Sequence, residues 1–207
     1  MTDQRRTIVG IPVKPFGVAK QRLHPLLDSS TRSRLGREVA VRTARAVSKA
    51  GAEVVIVTGD DGVRHWAAGH GFDAVSEIPG AGLDGAGAAL RDHALSADRP
   101  WVVLHADLPL IATSDVEELL GRLDEAGSVI APSHDGGTSA LGSGRHVEFH
   151  YGPGSYRRHL SQIPQSAIVI RTGFAFDLDT VTDLERIMQH DRGSWIGDHI
   201  TAIGFPS

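Results

Sequence analysis

Pro100-Trp101-Val102-Val103-Leu104-His105-Ala106-Asp107-Leu108-Pro109 is the stretch on which the fold turns. Trp101 to Leu104 is a short apolar run that includes β-branched residues, and it reads as a buried central strand. Leu108-Pro109 stops it, because proline has no N–H to give to a ladder. An acidic residue at the carboxyl end of a buried parallel strand stands where open α/β sheets bind ligands. Asp107 is therefore the candidate for holding a divalent cation against the phosphates of a nucleotide.

Working outward, strands are expected at Thr7 to Ile11, Glu53 to Thr58 and, more weakly, Asp73 to Ser76. Pro12, Pro15 and Gly17 make 12–23 a loop leaving the first strand's carboxyl end. A helix follows that Asp28, Ser29 or Ser30 can cap and Gly51 can end. Leu35, Val39, Ala46, Val47 and Ala50 share one of its faces. Gly62 to His70 reads as a short helix. This alternation predicts an α/β fold in a single domain over residues 1–207, with a mostly parallel central sheet and helices on both faces.

Pro79 to Gly87 reads as a glycine-rich loop and Ala88 to Ala97 as a helix. Beyond the central strand, Ser114 and Glu117 have the spacing of a capping box for a helix running to Ala126. Ser128 to Ala131 reads as a strand. The stretch 132–155 carries six glycines, which argues against a packed core segment and for binding loops. A short helix over Tyr156 to Ser161, a strand over Ala167 to Ile170 and a strand end over Phe174 to Asp179 are expected. A helix over Thr180 to His190, capped by Asp179 or Thr180, follows; residues 193–207 have no clear pattern.

Composition narrows the function. Hydrophobic residues make up 41% of the 207, enough for a substantial core. A net charge of −4 gives no basic field for nucleic acid, so none is expected as a partner. No apolar run reaches membrane-spanning length, and Met1 to Arg6 has no signal-peptide character. The absence of cysteine excludes disulfides and thiolate metal sites, so cytoplasmic residence is the default.

Four constellations carry the chemistry. Lysine occurs only at 14, 20 and 49, and two of these lie in the Pro/Gly loop after the first strand, with Arg22 beside them. A compact ammonium suits phosphate oxygens, although a solvated basic loop would look the same. No Walker or G-x-G-x-x-G motif is present. Gly80 to Gly87, with Asp84, could let a flat ligand approach the backbone, or could simply precede a helix. Asp107, Asp177 and Asp179 are hard oxygen donors that suit Mg²⁺; the last two share a face if extended, but could equally be a cap and a turn. Thr138, Ser139, Gly152, Ser155 and Arg157 to His159 combine hydroxyls, glycine N–H groups and cations. A helix starting at Ser155 would offer an anion site, which fits a small phosphorylated acid, against the alternative of a surface loop. The eleven histidines show no zinc spacing and read as structural or supporting residues.

Ile11-Pro-Val-Lys14-Pro-Phe-Gly-x-x-Lys20-x-Arg22-Leu23, His105-Ala-Asp107-Leu-Pro109-Leu, Gly136-Gly-Thr138-Ser139-Ala-Leu, Phe149-x-Tyr151-Gly152-Pro-Gly-Ser155 and Phe176-Asp177-Leu-Asp179-Thr180 occur in order. The chain thereby resembles the guanylyltransferases of coenzyme F420 biosynthesis, from about Ile8 to His190. The resemblance implies a nucleotidyltransferase fold related to the nucleotide-diphospho-sugar transferases, with GTP as substrate and Mg²⁺ as cofactor. It implies Asp107, Asp177 and Asp179 as metal ligands and Thr138, Gly152 and Ser155 as the site for a phosphorylated three-carbon acid. Lys14 and Lys20 would contact nucleotide phosphates and act in catalysis with Asp107; Arg22, Gly82 and Asp84 would complete the nucleotide site. One departure is Gly82-Leu-Asp84, where related enzymes often have Gly-Leu-Asn; an aspartate can still accept from guanine. Arginine-rich, lysine-poor, alanine-rich composition suggests a high-GC, actinobacterial source, and the resemblance to the family's actinobacterial version then implies phosphoenolpyruvate as the acid, with 2-phospho-L-lactate or 3-phosphoglycerate as alternatives. A downstream transferase would take over the labile product. Other nucleotidyl transfer, glycosyl transfer on Asp177-Leu-Asp179, and non-catalytic nucleotide binding are the rival readings.

Overall fold

The computed structural model describes residues 6–18, 20–77 and 80–202. Trp101–Leu104 is a fully buried strand, and its side chains divide between two cores. Val102 and Leu104 join one apolar cluster, while Trp101 and Val103 join another. That alternation is the two-residue period of a strand covered on both faces.

In chain order the elements are β1 (Ile8–Pro12), α1 (Ser29–Lys49), β2 (Glu53–Val57), α2 (Asp61–Gly69), β3 (Asp73–Val75), α3 (Gly82–Ser96), β4 (Trp101–Leu104) and α4 (Thr113–Ala126). Then come β5 (Ser128–Pro132), β6 (Thr138–Ser143), α5 (Ser155–Gln162), β7 (Ala167–Ile168), α6 (Thr172–Ala175), α7 (Val181–Met188) and α8 (Trp195–Ala202). The seven strands form one sheet in the order β3-β2-β1-β4-β6-β5-β7. Among the described residues, only β6 runs against its neighbours; every other pairing is parallel.

Helices α1, α2 and α4 bury Ala44, Trp66 and Leu119 on one face, and α3 buries Leu90 and Ala94 on the other. A third cluster joins Leu35 and Val39 of α1 to Leu184, Ile187 and Ile196 near the carboxyl end. The segment after Gly193, which has no clear pattern in the sequence, contributes Ile196 and Ile200 to it, with Trp195 packed against them.

Local chemistry sets several boundaries differently from expectation. Asp28 alone caps α1, its carboxylate accepting the Thr31 N–H at 2.8 Å. The cap of α4 is not Ser114 with Glu117: the helix begins one residue earlier, and Asp115 reaches back to the Ala112 N–H at 3.0 Å. Thr180, not Asp179, caps α7. Pro79 of the expected glycine-rich loop lies outside the described residues, and Gly82 to Gly87 are already helical as the start of α3. Phe174 to Asp179 is not a strand end; α6 runs into an extended segment whose Leu178 N–H donates to the Asp107 carbonyl at 2.9 Å.

The largest correction is β6. Glycine content argued that 132–155 holds no core segment, yet all six residues of β6 are buried between β4 and β5. Small residues are what the position needs. A Cβ on Gly142 would stand 2.7 Å from Val102 Cγ2 and 3.0 Å from the Trp101 carbonyl oxygen.

Candidate active site

The carboxyl end of β4 is where the chemistry gathers. His105 N–H donates to the Ser139 carbonyl at 3.0 Å, so the β4–β6 ladder continues one residue past the strand. The Ala106 carbonyl accepts from Thr43 Oγ1 at 3.3 Å. Together with the Leu178 bond, these contacts hold Asp107 facing a cavity of about 610 Å³. Lys14, Lys20, Arg22 and Gly82 line the same cavity, as do Asp177 and Asp179. The structure thus brings together seven of the residues singled out from sequence.

The loop after β1 delivers the cations. Lys20 has a left-handed backbone, φ 57°, and its Nζ donates to Asp107 Oδ2 at 2.9 Å. The Lys20 side chain is 8% exposed and that of Asp107 33%. Arg22 Nη1 pairs with Asp179 Oδ2 at 2.6 Å in a more solvated position. Lys14 is exposed at the cavity wall. Burial, the largest influence, raises the Asp107 carboxyl, but the Lys20 ammonium, His105 and the hydrogen bonds to the carboxylate together outweigh it, and the net shift is downward. Asp177 moves the opposite way, pushed up by burial and then by the Asp107 charge.

That contrast bears on a cation. Three of the cavity's carboxylates, Asp107, Asp177 and Asp179, are hard oxygen donors suited to Mg²⁺, and the repulsion between the Asp107 and Asp177 charges is the kind a cation relieves. The donor chemistry therefore fits. Among the described residues, no three His, Asp or Glu side chains are already gathered closely enough to hold one. Lys20 and Arg22 stand on two of the three carboxylates instead.

Thr138, Gly152 and Ser155 form an adjoining cluster that does not line the cavity. Because β6 is antiparallel to β4, its first residue, Thr138, comes to the sheet end that carries Asp107. Ser155 opens α5, its N–H bonded to the Gly152 carbonyl at 3.0 Å and its hydroxyl donating to Thr138 Oγ1 at 3.2 Å. Gly152 has φ 106° and Gly154 φ 71°, conformations that glycine adopts without strain. The bridge between the two regions is aromatic: His105 packs on Tyr151 with ring centroids 5.4 Å apart. Burial holds the His105 imidazole below its usual pKa, opposed by Asp107. His105 Nε2 and Tyr151 Oη are both buried without a hydrogen-bond partner among the described residues.

Asp84 is not where the nucleotide reading needs it. Its carboxylate accepts the Tyr151 N–H at 2.8 Å, and it does not line the cavity. The helical start of α3 turns it towards the 149–155 segment. A further carboxylate, Glu77, lines the cavity together with Gly82 and Leu83, and no motif marks it. His159 stands in the sequence pattern with Arg157 and Arg158 but without a role of its own; the four-residue spacing from Ser155 puts the two on one helical face.

Comparison with known proteins follows the same lines. A phosphoenolpyruvate guanylyltransferase of Sphaerobacter thermophilus is 35% identical over 195 residues, covering 89% of this chain and 93% of the relative. A 2-phospho-L-lactate guanylyltransferase of Methanothermobacter thermautotrophicus is 26% identical over 205 residues, covering 97% and 92%. Among solved structures, a chain of Desulfovibrio desulfuricans G20 assigned to the nucleotide-diphospho-sugar transferases superposes with a TM-score of 0.74 at 16% identity, covering 95% and 97%. At that identity the likeness speaks for the fold alone. The family model described as "Guanylyl transferase CofC like" matches residues 7–207. The chain belongs to the CofC-like guanylyl transferase family.

Proposed function

We propose that the chain transfers GMP from GTP to the phosphate of phosphoenolpyruvate, releasing pyrophosphate, in coenzyme F420 biosynthesis. The observation that carries this reading is the Lys20–Asp107 pair at 2.9 Å, standing at the sheet end that also carries Thr138 of the Thr138–Ser155 hydroxyl pair. The cavity suits a nucleoside triphosphate, and the hydroxyl cluster suits a small anionic acid.

A phosphate oxygen of the acid attacks the α-phosphorus of GTP. The new P–O bond forms as the bond to the β-phosphate oxygen breaks, and pyrophosphate leaves with the electron pair. A phosphate monoester has its second pKa at about 6, so the nucleophile is already anionic at neutral pH and needs no general base. The protein's task is positioning and charge neutralisation. Asp107, Asp177 and Asp179 would hold Mg²⁺, which neutralises phosphate charge when bound. Lys20 and Lys14 bring ammonium groups to the nucleotide phosphates, and Lys20 exchanges Asp107 for a phosphate oxygen. Glu77 replaces Asp84 as the acceptor for guanine N1–H and N2–H₂. Thr138, Gly152 and Ser155 hold the acid.

The product is a reactive diphosphate, so a transferase that consumes it is the expected partner, in the cytoplasm where both substrates are made. 2-Phospho-L-lactate is the second reading, supported by the archaeal relative named for it. One incubation with GTP, Mg²⁺ and each of phosphoenolpyruvate, 2-phospho-L-lactate and 3-phosphoglycerate, followed by pyrophosphate release, tests the proposal. Phosphoenolpyruvate should give the fastest release. Release that is faster with either other acid overturns the choice of acid. No release with any of them overturns the reaction.

A further inference from the structure

His159 is completely buried, one helical turn after Ser155. Both ring nitrogens have a partner. Nε2 lies 2.9 Å from the His150 backbone nitrogen, and Nδ1 lies 3.0 Å from Thr138 Oγ1. A backbone N–H can only donate, so Nε2 carries no proton. Burial, reinforced by His150, pushes the ring down to about 4, which keeps it neutral at pH 7. Its single proton then belongs to Nδ1.

We infer that His159 is a positioning residue: its Nδ1–H donates to Thr138 Oγ1 and so leaves the Thr138–Ser155 pair one hydroxyl proton to give to an oxygen of the bound phosphorylated acid. The inference rests on the reading that this pair holds the acid. The count is simple. His159 Nδ1, Thr138 and Ser155 bring three protons to two contacts, His–Thr and Thr–Ser. One proton is left over, on whichever hydroxyl ends the chain. With the proton on Nε2 instead, both hydroxyl protons would be taken by the two contacts, and the pair would meet an anion with lone pairs only.

Burial gives the leftover proton its force. Thr138 is 2% exposed and Ser155 1%, and no other acceptor is bonded to either hydroxyl among the described residues. A buried donor without a partner is costly, and an anionic oxygen arriving there removes that cost. The site selects an acceptor, which a phosphate or carboxylate is and an ammonium is not.

The ring's tautomer can be read by ¹⁵N NMR of histidine-labelled protein, with the His159 signals assigned by their loss in His159→Gln. The Nδ1–H form is expected with and without phosphoenolpyruvate; the Nε2–H form in the acid complex overturns the inference. Steady-state kinetics supply the second readout. His159→Asn can put an amide N–H at the place of Nδ1, and should keep the KM for phosphoenolpyruvate within about threefold. His159→Gln keeps an acceptor for the His150 N–H but gives Thr138 no donor, and should raise that KM about tenfold with the KM for GTP little changed. Equal rises for both substrates in both variants would mean that His159 only holds the fold together. Thr138→Val tests the underlying reading separately: if it leaves the KM for the acid unchanged, the acid binds elsewhere, whatever the tautomer.

Discussion

Breaking the Lys20–Asp107 pair from either side should show what it does. At 2.9 Å and an effective dielectric of about 20, the attraction is about 6 kcal/mol. Desolvation takes back much of that, since Lys20 is 8% exposed and Asp107 33%. A net coupling of about 1–3 kcal/mol is expected. Asp107→Asn should be the more damaging single change, at about 2–3 kcal/mol, because it strands a buried ammonium. Lys20→Met strands a carboxylate that water still reaches, and should cost less. The double variant should be more stable than the sum of the two losses predicts. The pH dependence follows from Asp107. Its folded pKa lies below its ordinary value of 3.8, so the pair stabilises the protein above that value and the contribution fades as pH falls through the folded pKa. Urea titrations of the four proteins at pH 7 and in steps below about pH 4 read both effects. The gap between wild type and Asp107→Asn should be widest at pH 7 and shrink in acid. Turnover should fall at least about 10²-fold in each single variant, with no recovery in the double. Additive stability losses, or a gap that ignores pH, would refute the electrostatic account. Turnover restored in the double variant would refute the catalytic one.

Two further outcomes are expected. Glu77→Ala removes the carboxylate proposed for guanine; loss of a hydrogen bond to a charged group is worth about 1.5–3 kcal/mol, so the KM for GTP should rise roughly 10- to 100-fold and the preference for GTP over ITP, which lacks the 2-amino group, should narrow. Gly142→Ala forces a Cβ to 2.7 Å from Val102 and 3.0 Å from a carbonyl oxygen, which should cost about 1–3 kcal/mol and lower Tm by about 2–4 °C per kcal/mol in a calorimetric scan.

The central strand, its terminal aspartate and the parallel framework were legible because burial on both faces leaves a continuous apolar run. β6 was not, because its burial rests on smallness: Thr138-Ser-Ala-Leu-Gly-Ser143 has one large apolar side chain, and it is the neighbouring Val102, Trp101 and Val129 that show why glycine is required. Asp107 and Lys20 were legible from motif and position; that they bind each other was not, since they lie 87 residues apart. Asp84 was read through its loop, and the helical start of α3 redirected it. His159 stayed hidden because its role depends on which atom of His150 faces it, and no spacing rule carries that.

The lone antiparallel strand has a consequence for how the chain is made. β4 needs β6 on one side, but Thr138–Ser143 is synthesised about 40 residues after Leu104, and β5 comes first. At translation rates of about 5–20 residues per second, the Trp101–Leu104 edge waits roughly 2–8 s for its partner on the ribosome. During that interval β5 is the nearer competitor for a parallel pairing that would close the gap without β6. The order in which β5 and β6 emerge is thus the reverse of their order outward from β4, and the β4 edge stands open through the middle of chain growth, between residues 104 and 143.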